Sequence, residues 1–218
     1  MEAIAALCWI CRERPAANVG GTVTEAFPAV AAGWICQCCD HELTAPYDRA
    51  WQTLEQYLRL HWHDIVKLGR FDLSKPFPAD ARAGARHVHL YFVKSFGAKL
   101  LADSVAVDLA SFSRALLEDR EHPEVSLFVA DARVPSGSMR LFDSEVRVLR
   151  NQLGEVQSAL WTHLAHPIAI KVNHVKAGAP LQAPPGNPWH PARQRRIVVL
   201  SPFVGEAKPI AGPQGLRI

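Results

Sequence analysis

Apolar and polar positions change their rhythm along the chain, and three regions follow from that change. From Thr44 onward, Trp51, Leu54, Leu58, Ile65 and the pair Leu60/Trp62 fall at helical spacing. This predicts an amphipathic helix to about Leu68, with Thr44 as N-cap, Pro46 in the first turn and Gly69 at its end. Trp51 and Trp62 lie on its apolar stripe and are expected in the core. His61 and His63 fall on different faces and make a poor metal pair. Phe71 to Ala79 is punctuated by proline and reads as a linker. Asp80 then opens a second helix over Ala81 to Ala102, where Val88, Phe92, Phe96 and Leu100 recur every four residues. Val88 to Val93 alone also fits a strand. Asp108 caps a short helix, Leu109 to Asp119.

After His122-Pro123 the period shortens to two. Val125, Leu127 and Val129 alternate with other residues, as do Val146 and Val148, then Ile168, Ile170 and Val172. Pro135-Ser136-Gly137 is a turn, and Ile197 to Leu200 is a last strand. A helical stretch is also possible around Gln157 to Leu164. Residues 178–193 hold five prolines and little periodicity. A loop of that length is usually functional or disordered. It leads into His190, Arg193, Arg195 and Arg196, the densest basic cluster of the chain. The tail after Pro202 is rich in proline and glycine.

The cysteines add a third region. Cys8-Trp9-Ile10-Cys11 and Cys36-Gln37-Cys38-Cys39 are two Cys-x-x-Cys pairs separated by 24 residues. Each pair aims two sulfurs at one point, and two such turns make a closed tetrahedral thiolate site, the ligand set of structural zinc. Gly20-Gly21 suits a turn between them. Cys38 is a spare thiol and His41 lies two residues past Cys39; either is an alternative ligand to the symmetric set Cys8, Cys11, Cys36 and Cys39. Two disulfides would need an oxidising compartment. The first seven residues lack the basic start of a secretory signal, so a cytoplasmic protein with reduced thiols is expected.

The expected fold is therefore α+β: an N-terminal four-cysteine, zinc-ribbon-like module (1–45), a helical middle (46–122) and an antiparallel β-rich C-terminal half (123–218). Composition does not narrow this much. The chain has 218 residues, 49% hydrophobic and 21% charged, with a formal charge of +3. That permits contact with nucleic acid without demanding it. No apolar run reaches membrane-spanning length. Lys94 and Lys99, with Arg82, Arg86, His87 and His89, put positive charge on the second helix, as a solvated face or a nucleic-acid contact. Arg12 and Arg14 read as a solvated loop more readily than as phosphate contacts.

Catalytic motifs are sparse. There is no Gly-x-Ser-x-Gly, no phosphate-binding Gly-x-x-x-x-Gly-Lys and no His-Glu-x-x-His. The knuckles resemble those of HNH-type nucleases, which frame a ββα core with two Cys-x-x-Cys pairs. Those enzymes place a catalytic histidine, commonly within Asp-His, between the pairs, and hold the scissile phosphate with a separate divalent metal. No histidine lies between Cys11 and Cys36; Asp40-His41 follows the second pair, and Asn18 is isolated. The resemblance thus implies a degenerate, non-cutting relative or a nuclease with a displaced base.

The order of features also resembles the small zinc-finger, large-subunit-like proteins of type IV CRISPR effector complexes. The motif match is confined to Cys8, Cys11, Cys36 and Cys39, and the rest is likeness of size and layout. That family implies a non-catalytic subunit of a guide-RNA ribonucleoprotein in antiviral defence. Its partners would be guide RNA, target DNA, the other effector subunits and a separate helicase. It would recognise the short motif flanking the target and help open the duplex, while guide pairing supplies sequence specificity. By charge alone, the nucleic-acid-binding residues to test are Lys94, Lys99, Arg193, Arg195 and Arg196. A third reading is an adaptor whose zinc module binds only protein.

Overall fold

Thr44 and Gly69 bound the first long helix, α1 (Ala45–Leu68), with Pro46 in the first turn and Gly69 at the left-handed φ of 65°. Thr44 stands at the N-cap position without capping through its side chain: its hydroxyl donates to Asp40 O in the preceding turn. The computed structural model describes residues 7–16, 34–132, 145–179, 186–194 and 196–201. Asn18, the Gly20-Gly21 turn, the Pro135-Ser136-Gly137 turn, Arg195 and the tail after Pro202 lie outside the described residues. A short strand β1 (Arg70–Asp72) follows α1. Helix α2 (Ala81–Ala102) starts where Asp80 Oδ1 accepts the N–H groups of Arg82 and Ala83. Helix α3 (Ala110–Leu117) starts where Asp108 Oδ1 accepts Ala110 N–H.

The remaining elements are strands: β2 (Val125–Asp131), β3 (Arg147–Arg150), β4 (Val156–Ala165), β5 (Ile168–Val175) and β6 (Ile197–Val199). Four of them form an antiparallel sheet in the order β2-β5-β4-β3. The fold is α+β, with helices in the middle of the chain and strands in its C-terminal half.

Three expectations change. Gln157 to Leu164 lies within strand β4, because β5 pairs along it from Ser158↔Val175 to Ala165↔Ile168 and overrides its helix-tolerant Ala and Leu. The supposed linker after Gly69 begins with β1, which pairs with β6 in a separate ribbon (Phe71↔Val198). The last strand therefore does not join the main sheet. The loop expected over 178–193 ends in packed residues: Trp189 exchanges both backbone hydrogen bonds with Leu127 on β2, and Trp189 and His190 are buried.

Helix α2 is the centre. Every residue from Val88 to Leu100 is buried, so the helix is enclosed on all sides rather than amphipathic. The sheet lays one face on it: Leu127, Val172 and Trp161 form one row, and Val129, Ile170 and His163 the next. Trp161 stacks parallel to Phe96, and His163 meets Phe92 edge-on. Trp51 of α1 stacks on Tyr91 from another side. One hydrophobic cluster contains Cys8, Trp9 and Ile35, the three helices and the sheet face. The three sequence regions share a single core.

Four histidines are sealed where α2, α3, the sheet and the 186–190 segment meet. His89 donates Nε2–H to Val125 O, and His190 donates to His122 O. His122 Nδ1 accepts Glu124 N–H, so its Nε2–H donates to Ser111 Oγ. That tautomer leaves His122 no lone pair for activating the Ser111 hydroxyl. His174 bonds Glu124 Oε2 at 3.2 Å. Burial pushes His89 down to about 3 and His122 to about 4, and lowers His174 against the pull of Glu124. Burial also holds His163 down at about 4.

These depressed values set an acid limit. The unfolded chain takes up protons below about pH 6.5, while the native histidines stay neutral until about pH 4. His89, His122 and His163 together then cost roughly 4 kcal/mol per pH unit. Full stability is present above pH 6.5, and cooperative unfolding is expected between about pH 5 and 4. Circular dichroism during acid titration checks it; a chain still folded at pH 3 contradicts the neutral cluster.

Candidate metal centre and cationic surface

The first Cys-x-x-Cys pair is a tight reversal. Leu7 bridges Pro15, Cys8 N–H donates to Arg14 O and Arg12 N–H donates to Cys8 O. Arg12 closes the turn with φ at 58°, a left-handed conformation that normally suits glycine. In the second pair, Asp40 N–H donates to Cys36 O, and a π-helical turn, Cys39–Leu43, runs into α1. Trp9 N–H donates to Trp34 O, which ties the two turns together.

The result brings Cys8, Cys11, Cys36 and Cys39 together, with all four Sγ atoms within 4.8 Å of one another. Cys11 Sγ and Cys36 Sγ are 3.8 Å apart, and all described cysteines are free thiols. Sulfurs around a tetrahedral ion at ~2.3 Å sit ~3.8 Å from each other, so the spacing fits an ion and not a bond. The four cysteines can hold a metal ion. Cys38 lies outside the cluster, with its thiol 3.5 Å from Glu42 Oε2, and His41 is exposed in the π-helical turn.

The surroundings are prepared for thiolates unevenly. Burial raises Cys8 and Cys39, in Cys8 against the backbone N–H groups of Cys36, Cys11 and Ile10. At Cys11 burial is the largest single influence and raises the thiol, but the N–H groups of Glu13 and Arg14 and the neighbouring thiols together outweigh it and bring it to about 7. Arg14 sits beside Cys38, whose charge, with those of Cys36 and Cys11, raises its pKa. It offers a positive counter-charge to the sulfur cluster.

The knuckle is docked, not appended. The Trp9 ring lies over Gly97 of α2, where any Cβ would come within 2.6 Å of it. Ser113 of α3 donates its hydroxyl to Ile10 O. Sequence reasoning missed Gly97. A glycine inside a long apolar helix was the available sign of close approach.

The predicted cationic residues are not brought together. Lys94 is fully buried; its Nζ bonds Asp48 at 2.6 and 2.9 Å and Thr44 Oγ1 at 3.1 Å, with Asp40 at 3.5 Å. Burial pushes the Asp48 carboxyl up, against the pull of Lys94. Lys99 is also buried and pairs with Asp103 at 2.8 Å. The reading of Lys94 as a nucleic-acid contact is therefore corrected, because its ammonium is sealed, and Lys99 is mostly buried with its charge held by Asp103. Lys94 instead clamps the start of α1 to α2. Arg193 and Arg196 are exposed, and Arg196 holds Asp72 at 2.8 and 3.0 Å. Arg195 lies outside the described residues. A lysine within the apolar run from Val88 to Leu101 was the sign of a buried pair. No described helix is long and apolar enough to cross a membrane.

Comparison of the chain with protein families, with curated proteins and with solved structures finds no match in any of the three.

Lys94→Ala strands two carboxylates and is expected to lower unfolding free energy by about 3–5 kcal/mol. Urea denaturation checks it; a variant of full stability that loses only nucleic-acid affinity would restore the surface reading. Gly97→Ala is expected to cost about 1–3 kcal/mol through the clash with Trp9. Combining it with Trp9→Leu should recover part of that loss, and strict additivity of the two would count against the contact.

Proposed function

We propose that the chain is a non-catalytic, zinc-stapled subunit that binds nucleic acid. In the setting its layout resembles, it contacts target DNA at the flanking motif within a type IV CRISPR guide-RNA ribonucleoprotein and assists duplex opening. The observation that supports a structural rather than catalytic role for this metal centre is its closed shell, and the absence of a histidine between the two cysteine pairs supports the same reading for the chain. Four converging sulfurs, three of them on buried cysteines, leave no open position for water or substrate. Zinc is the ion that suits four thiolates in tetrahedral array. When bound it supplies a cross-link between the two knuckles, worth on the order of 10 kcal/mol in small zinc domains.

The contacts of Asp40 favour a structural role for it over a part in a nuclease site. Asp40 of the Asp-His pair, half-buried, lies 3.5 Å from the buried Lys94 ammonium. The exposed Arg193 and Arg196, and the net positive charge, support a nucleic-acid surface over an adaptor.

Metal analysis of the purified chain is expected to find one zinc per chain. Cys8→Ser should lose it together with the N-terminal fold, while Cys38→Ser keeps it. Binding to nucleic acid should weaken steeply with salt, and a flat response favours the adaptor. Cleavage with magnesium or manganese that disappears on His41→Ala would overturn the non-catalytic reading.

A further inference from the structure

We infer that the outer face of the β1–β6 ribbon, with the adjoining flank of α1, is the surface that grips single-stranded nucleic acid. This rests on the proposed nucleic-acid-binding role and assigns it a place.

The ribbon has an inside and an outside. Phe71 and Val198 face each other in register and are buried. Arg70, Ile197 and Val199 are exposed; the two aliphatic residues remain 41% and 39% accessible. Arg196 holds Asp72 beside them. Gly69 reverses the chain between α1 and β1, so the end of α1 borders the ribbon. On α1, Tyr57, His61, Asp64 and Leu68 recur at spacings of four, three and four, which places them on one line. Leu68 is 70% exposed. The Tyr57 and His61 rings pack against each other at 4.6 Å. Burial raises the Tyr57 phenol, and the Asp72 charge adds to it, which sets the ring pair near the ribbon.

Charge selects the occupant. Lys67, Arg70, Lys75 and Arg196 stand here against Asp64 and Asp72, and Arg196 already neutralises Asp72. Lys67, Arg70 and Lys75 are exposed and have no carboxylate partner among the described residues. The His61 ring is exposed and is backed by the half-buried Tyr57. Cations beside such a supported ring are the two elements of single-strand binding: the cations follow phosphates, and the exposed ring takes an unpaired base. Exposed aliphatic residues add contact with sugars and base edges. An acidic protein would use the cations but has no need of the rings.

The test uses the full zinc-loaded chain and a labelled oligothymidine, read by fluorescence anisotropy over a salt series. Lys67→Ala with Arg70→Ala is expected to weaken binding about tenfold and to flatten the log–log salt slope by about 1.4, the share of two phosphates on a single strand. His61→Ala should weaken binding at least fivefold with an unchanged slope, as lost stacking does. Arg114→Ala, an exposed cation on α3, should change neither. Wild-type binding that the double variant and Arg114→Ala reduce alike overturns this surface and leaves the nucleic-acid role standing. Absence of binding to any single or double strand at low salt overturns both. Polyglutamate bound through Lys67 and Arg70, with oligothymidine ignored, overturns the inference in favour of an acidic protein partner.

Discussion

The burial of α2 from Val88 to Leu100 is the constraint from which the rest follows. An enclosed helix must satisfy each polar atom inside the protein, since no water reaches it. Polar side chains along its buried stretch therefore find partners on other elements or within the helix, as Ser95 does at Tyr91 O. His89 reaches the start of β2, Lys94 reaches the start of α1, and Lys99 reaches Asp103 at its own end. Asp103 in turn accepts Val146 N–H just before β3. Where a joint needs close approach instead of a bond, the helix has glycine: Gly97 under Trp9, and Gly84 under Phe77.

The metal centre belongs to this scheme. Asp40 follows Cys39 directly and shares Lys94 with Asp48, so the sulfur cluster and the α1–α2 clamp are joined by one residue step. Trp9 lies between Cys8 and Cys11 and reaches the same helix. An ion at the four sulfurs thus holds a turn whose side chains are already part of the core. This differs from an appended finger, whose folding concerns only itself.

Local signals carried much of the outcome. Thr44, Pro46, Gly69, Asp80 and the spacing of the cysteines act through their own backbones and near neighbours, so α1, α2 and the four-cysteine cluster were legible in sequence. Features set by distant partners were not. Residues 157–164 have no intrinsic bias strong enough to announce a strand, and β5 decides it. The three-residue β1 is too short to show a period, and its partner lies more than a hundred residues on. Lys94, Lys99 and His190 look solvent-loving as residue types. Their burial depends on carboxylates and carbonyls that only the fold brings to them. Counting positive charge along a segment cannot distinguish a surface from a sealed ion pair.

The meeting of Cys11 and Cys36 has a consequence for variation. The intervening chain leaves and returns at sulfurs 3.8 Å apart, so its ends are fixed by the cluster whatever its length. Closing a loop twice as long costs only about 0.6 kcal/mol more. Evolution, or an engineer, is thus free to change the number of residues between Ala16 and Trp34 at little entropic cost, as long as Arg14, Trp34 and Ile35 keep their places against the knuckle and the core.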